Sequence, residues 1–171
     1  MKTLYLVRHA KSSWDAPGLQ DDQRTLLPKG IAKTRLVAGY LIREGVKTDL
    51  MISSQAVRAY ETAKIMADCL GYPIKQILKD RKIYDGPYDR LLDLIYGTAN
   101  DVNSLMIFGH NPLITQLSNL FLHPGIEDMP TSAVVCITFN ASRWEDIPTS
   151  KSEMKFFITP KQLKTSGTGS E

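Results

Sequence analysis

The chain has 171 residues, with 21 Lys+Arg against 18 Asp+Glu and a formal net charge of +3. That length fits one domain with a full core. The 43% hydrophobic and 23% charged content argues for a soluble globular protein rather than a disordered or membrane chain, and the small, dispersed positive charge argues against nucleic acid as a partner.

The opening residues, Met-Lys-Thr-Leu-Tyr-Leu-Val-Arg, lack the long apolar core and small-residue cleavage site of a signal peptide. No stretch is long enough to span a bilayer, so the expectation is a cytoplasmic protein with no membrane partner. Cys69 and Cys136 stand far apart in apolar-rich segments and read as free thiols of a reducing compartment.

Strand-like runs fall at 3–8, 49–53, 74–78, 104–109, 133–140 and 154–159, with helical patterns between the first five. The first helix follows Pro28 and stops before Gly45. Leu27, Ile31, Thr34, Ala38, Leu41 and Ile42 share one of its faces, and Gly45 suits a left-handed C-terminal cap. The second runs from about Gln55 to Leu70. Its apolar stripe is Ala56, Ala59, Ala63, Met66, Ala67 and Leu70, and Gly71 ends it. A weaker third helix spans about 88–96. The fourth starts at Asn111 as N-cap with Pro112 in the first turn, and Leu113, Leu117, Leu120 and Phe121 form its buried stripe. The last two strands have no helix between them and are expected to pair antiparallel or lie at the sheet edge.

This order predicts an α/β fold, a three-layer α/β/α sandwich with a mostly parallel central sheet and an antiparallel edge. One domain covers residues 1–164. Residues 165–171, small and polar, read as a flexible C-terminal tail.

Chemistry gathers where strands end. Arg8 and His9 follow the first strand. Ser53 and Ser54 end the second, with Arg58 one turn into the next helix. His110 follows the fourth strand, directly before a helix start. In a parallel sheet these ends share one edge. That edge would hold two His, two Arg, several hydroxyls and two helix N-termini, which together suit a phosphoryl group. A neutral imidazole can attack phosphorus if its other nitrogen donates to a backbone carbonyl. Each residue also has a plainer reading. A lone strand-end His is usually a structural hydrogen-bonder, and Arg58 could simply pair with Glu61 on the helix surface. His123, before Pro124-Gly125, reads as solvent-exposed. No His or carboxylate spacing resembles a metal ligand set, so neither a metal nor another cofactor is expected.

Leu-Val-Arg-His (6–9), Ser-Ser-x-x-x-Arg-Ala-x-Glu-Thr-Ala (53–63) and Gly-His-Asn-Pro (109–112) together resemble the motifs of the histidine phosphatase superfamily, the phosphoglycerate mutase-like proteins. The short chain, Arg-His-Ala-Lys-Ser-Ser-Trp (8–14) and Pro-Thr-Ser-Ala-Val (130–134) look most like its SixA-type phosphohistidine phosphatase branch. The resemblance implies that His9 is a phosphorylated nucleophile, that Arg8, Arg58 and His110 hold phosphoryl oxygens, and that Ser12 and Asn111 lie at the phosphate. Larger members carry a glutamate as general acid after the third strand. Here the region reads Lys-Asp-Arg-Lys-Ile-Tyr-Asp-Gly (79–86), with no glutamate. Tyr84 and Asp85 are left as candidates for the leaving-group side, although Asp85 beside Gly86 is also an ordinary turn residue.

The missing acid suits phosphohistidine, whose imidazole leaves more easily than an alkoxide. The expectation is therefore a phosphatase acting on a phosphohistidine-bearing protein through phospho-His9, as a monomer. A small-molecule phosphomonoesterase and a non-catalytic phosphate-binding module are the alternatives. Lys11, Lys29 and Arg24 are expected at the rim, where they would favour an acidic partner surface.

Overall fold

The computed structural model describes residues 1–14 and 17–167. Six strands form one sheet: β1 (Lys2–Arg8), β2 (Leu50–Ser53), β3 (Leu78–Lys79), β4 (Ser104–Gly109), β5 (Val134–Phe139) and β6 (Ser152–Ile158). The sheet order is β3-β2-β4-β1-β5-β6. β1, β4, β2 and β3 run parallel, and β5 and β6 are antiparallel additions beside β1. The expected α/β sandwich with its mostly parallel sheet is thus present, with an antiparallel portion that reaches a central strand.

Strand periodicity builds two cores. Leu4 and Leu6 of β1 and Leu105 and Ile107 of β4 point to one face, where they meet Leu91, Ile95, Ile114 and Leu117. Tyr5, Val7, Met106 and Phe108 point to the other and meet Val37, Leu41, Ala63 and Met66. Helices α3 (Tyr88–Tyr96) and α4 (Leu113–Phe121) therefore cover one side, while α1 (Pro28–Arg43) and α2 (Val57–Leu70) cover the other. Strands buried on both faces read as near-continuous apolar runs, which is why the central ones were visible in the sequence.

Gly45 and Gly71 take left-handed conformations, φ 71° and 73°, after α1 and α2, as their C-terminal positions require. Several expectations need correction. Residues 74–78 are not a strand: Ile74–Gln76 form a 3₁₀ turn, and β3 is a two-residue edge strand whose Leu78 is exposed. Short edge strands of this kind limit unwanted pairing. Ile42 and Leu120 lie at the margins of their helices and face solvent. The fourth helix begins at Leu113 with Pro112, not Asn111, as its cap residue. A final helix, α5 (Pro160–Gly167), was not expected; it packs on α1 and carries the chain past the boundary drawn at 164. Residues 168–171 of the expected tail lie outside the described residues. No helix among the described residues is long and apolar enough to cross a membrane.

The loop after β1 is held against the start of α1. Leu27 N–H donates to Lys11 O at 3.0 Å, and Ser13 N–H donates to Thr25 O at 2.8 Å. Gly30 is buried beneath this loop, and a Cβ there would overlap the Lys11 carbonyl oxygen and lie 3.0 Å from the Lys11 nitrogen. Gly30→Ala is accordingly expected to lower unfolding free energy by about 1–3 kcal/mol through overpacking. Denaturant titration reads this directly, and an unchanged midpoint would show that the loop yields freely.

Candidate active site

Register brings the site together. Arg8 pairs with Gly109 across β1 and β4, and Ser53 pairs with Phe108 across β2 and β4. The three strands thus end within a residue of one another. His9 N–H continues the ladder to Gly109 O, and Ser54 N–H continues it to Phe108 O. The strand ends open into a cavity of about 520 Å³, lined among others by Arg8, His9, Ser12, Arg58, His110 and Asn111.

His9 is buried, and its Nδ1 lies 2.8 Å from Ala10 O. A carbonyl only accepts, so Nδ1 carries the proton and Nε2 keeps its lone pair. Ala10 is fixed in turn, because its N–H donates to Thr62 Oγ1, whose hydroxyl donates to Arg58 O. Burial first, then the charges of Arg58, Arg8 and Arg24, pull the His9 pKa down to about 4, against the opposing effect of the Ala10 hydrogen bond. The imidazole is therefore neutral at pH 7.

His110 stands beside it, with ring centroids 5.1 Å apart. Its Nε2 meets Ser54 Oγ at 2.8 Å, and that oxygen also accepts from Ala56 N–H. Burial and the neighbouring His9 hold its pKa near 3. Its Nδ1 is buried without a partner, as are Arg8 Nε and Arg58 Nε. Buried polar atoms are nearly always paired. These three unpaired nitrogens, two on residues at strand ends and one in the first turn of α2, belong to residues that line the same cavity.

The two arginines are oriented differently. Arg8 Nη1 donates to Met129 O. Arg58 does not pair with Glu61, which instead meets Lys64. Arg58 Nη1 donates to Asp21 O and Nη2 to Asp21 Oδ2. Asp21 is the residue that sequence reasoning missed. It also receives Arg24 Nη1 and the Tyr84 hydroxyl. The Tyr84 hydrogen bond, then those of Arg24 and Arg58, outweigh its partial desolvation and lower its pKa to about 2. Asp21 comes from a 3₁₀ turn, Asp21–Gln23, far along the chain from Arg58 and Tyr84 and without periodicity, so no sequence signal marked it.

The remaining expected residues divide. Ser12 is buried and accepts from Arg24 Nη2 at 2.7 Å. Tyr84 reaches the mouth, its ring edge-on to His110 at 5.4 Å. Asn111 lines the cavity, but not as a phosphate donor: its Nδ2 donates to Asp128 Oδ1 and Met129 O, and its Oδ1 accepts from Thr115. Its carboxamide is used to hold the Met129 carbonyl that orients Arg8. Asp85 is half-exposed, pairs with Arg81 and is not among the cavity residues, because the turn directs Tyr84 inward instead. Lys11 and Arg24 reach the cavity; Lys29 does not line it, and Lys33 does. Trp14 is an unforeseen wall residue, 78% exposed with the Arg24 guanidinium 3.5 Å from its ring centroid. His123 is exposed, as expected. No cluster among the described residues could hold a metal ion.

Set beside known proteins, residues 4–82 match the histidine phosphatase superfamily (branch 1). An uncharacterized chloroplastic protein of Arabidopsis thaliana is 31% identical over 85% of this chain and 70% of its own. The chain belongs to the histidine phosphatase superfamily. Phosphohistidine phosphatase SixA of Escherichia coli is 27% identical, over 81% of this chain and 86% of its own. The solved structure of protein histidine phosphatase SixA with tungstate superposes with a TM-score of 0.80 at 22% identity, covering 94% of this chain and 99% of that one. The likeness of fold extends over nearly the whole superfamily domain.

Two measurements check this geometry. At pH 7, ¹⁵N spectra of the His9 ring are expected to show a protonated Nδ1 and a bare Nε2, with titration centred near pH 4; an imidazolium at pH 6 would contradict the geometry. Because folding holds both His9 and His110 below the unfolded value, their contribution to stability is full above about pH 6.5. It is lost as pH falls toward 4 and 3. Thr62→Val removes the acceptor of the buried Ala10 N–H and is expected to cost about 1–3 kcal/mol. It should also lower kcat as His9 loosens; full activity in the variant would separate Thr62 from the nucleophile.

Proposed function

We propose that the protein is a protein-phosphohistidine phosphatase that works through a phospho-His9 intermediate. The observation that carries the mechanism is the bare Nε2 of a neutral His9 within a ring of unpartnered donors. His9 Nε2 attacks phosphorus, and the bond from phosphorus to the substrate's imidazole nitrogen breaks. Arg8 Nε, Arg58 Nε and His110 Nδ1 donate to the phosphoryl oxygens as charge shifts in the transition state. With Nδ1 donating, His110 Nε2 accepts from the Ser54 hydroxyl. Water then attacks phospho-His9, releasing phosphate and restoring the imidazole.

The choice of substrate rests on the leaving-group side. Asp21 is the carboxylate lining the cavity among the described residues, and three donors hold it ionised. An ionised carboxylate cannot protonate an alkoxide. It can accept from the N–H of a leaving imidazole that already carries its own proton. The similarity to SixA supports the same reading.

Rapid quench with a ³²P-labelled phosphohistidine peptide is expected to trap phosphate on His9 in the native enzyme. H9A should lose the intermediate and the turnover together. Removing one oxyanion donor, as in R58A, should cost about 10²–10³ in kcat. In a panel at equal concentration, the phosphohistidine peptide should be turned over far faster than sugar or serine phosphates. Faster turnover of alkyl phosphates would favour a small-molecule phosphomonoesterase, and no intermediate with any donor would leave a binding module.

A further inference from the structure

The cavity is charged unevenly. Its described lining includes Arg8, Arg24 and Arg58, and on the α1 side Lys11 and Lys33. The Asp21 carboxylate is already taken by Arg24 and Arg58. Among the described residues no carboxylate pairs with Lys11 or Lys33, nor with Lys29 and Lys164 behind them. Some exposed cations elsewhere do meet a carboxylate, Lys64 with Glu61, Arg81 with Asp85 and Lys155 with Glu153, but none of these lines the cavity.

The placement is also costly to the fold. α1 has no acidic residue in its first turn, where the helix dipole favours one. Instead Lys29 sits in that turn and Lys33 follows one turn later, on the side that faces the cavity. Partial desolvation, then Lys29, Lys164 and Lys11, push the Lys33 ammonium below the ordinary lysine value. Lys11 and Lys33 thus line one end of the cavity, Lys29 and Lys164 act electrostatically on Lys33 from outside it, and among the described residues no carboxylate pairs with any of the four. Neither packing nor hydrogen bonding requires this arrangement; an anion would relieve it. The phosphoryl group does not serve, because Arg8, Arg58 and His110 already supply its donors.

We infer that Lys11 and Lys33 form a second anion subsite, which takes an acidic side chain flanking the phosphohistidine of a protein substrate. The assignment rests on the proposed function for the nature of the substrate and on charge complementarity for the subsite. It makes the α1 side of the mouth a specificity determinant, while Asp21 and Tyr84 border the leaving group on the other.

The test uses two phosphohistidine peptides that differ only in the residues flanking the modified histidine, Asp-Asp in one and Ser-Ser in the other. The native enzyme is expected to favour the acidic peptide by about tenfold in kcat/KM, mainly through KM, as two partly screened ion pairs would give. In K11Q/K33Q the ratio between peptides should fall toward unity, with thermal melts confirming the fold. Equal kcat/KM for both peptides in the native enzyme, or a preference that the variant keeps, overturns the proposal. A binding arm needs no turnover. By calorimetry, bisphosphonates with methylene, propylene and pentylene spacers are compared with methylphosphonate. At least one should bind the native enzyme about tenfold more tightly, and K11Q/K33Q should lose that advantage. No advantage at any spacer overturns the subsite. An advantage with bisphosphonates but no peptide preference overturns the protein-substrate version and assigns the lysines to a small bis-anion. If neither peptide is hydrolysed while the bisphosphonate advantage holds, the phosphohistidine reading fails and the second anion subsite stands.

Discussion

The parallel register of β2, β4 and β1 is the constraint on which the rest depends. With Arg8 opposite Gly109 and Ser53 opposite Phe108, the strands end level, and each delivers its next residue to the same place. A slip of one residue would turn each side chain to the opposite face. Register is secured because both faces are buried: Leu4, Leu6 and Ile107 belong to one core, and Tyr5, Val7 and Phe108 to the other. The position of His9 is therefore a by-product of core packing in the sheet.

Buried cations show how the two ends of β1 differ. At one end Lys2, 1% exposed, spends its ammonium donors on Asn100 O, Val102 O and Asn103 Oδ1. That group is a structural plug, since every donor is met. At the other end Arg8 and Arg58 are held by backbone carbonyls and one carboxylate, yet each keeps an unpartnered Nε. Leaving charged donors unmet inside a protein is unfavourable, and here the unmet donors lie on residues that line the cavity. Burial above all, reinforced by the guanidinium charges, keeps His9 and His110 neutral. Preorganised positive charge and a neutral imidazole thus arise in one buried arrangement.

The legible parts of the site share a property. Arg8, His9, Arg58 and His110 all lie within a few residues of a strand end, so reading the strands placed them. The helices α1 and α2 were legible for a similar reason: long apolar periodicity closed by glycines at positive φ. Less was visible where short-range signals competed. Pro73 and polar neighbours turned the 74–78 run into a 3₁₀ turn ahead of a two-residue strand. Asn111-Pro112 had the composition of a helix cap, but the carboxamide found stronger partners in Asp128, Met129 and Thr115. Asp85 had the chemistry of a proton donor, and the turn sent Tyr84 inward in its place.

The order of the elements through the last strand and the convergence of Arg8, His9, Arg58 and His110 were determined by the sequence itself, because strand and helix periodicities are local and strand ends in a parallel sheet converge by construction. Which partner each side chain would take was decided only by the tertiary structure. Arg58 meets Asp21 across 37 residues, Tyr84 meets the same carboxylate across 63, and Thr34 meets Ser132 across 98. Such contacts depend on how loops fold over the sheet edge. Loops have no periodicity to reveal where they will lie, so the place of His9 could be read from the chain, and its electrostatic surroundings could not.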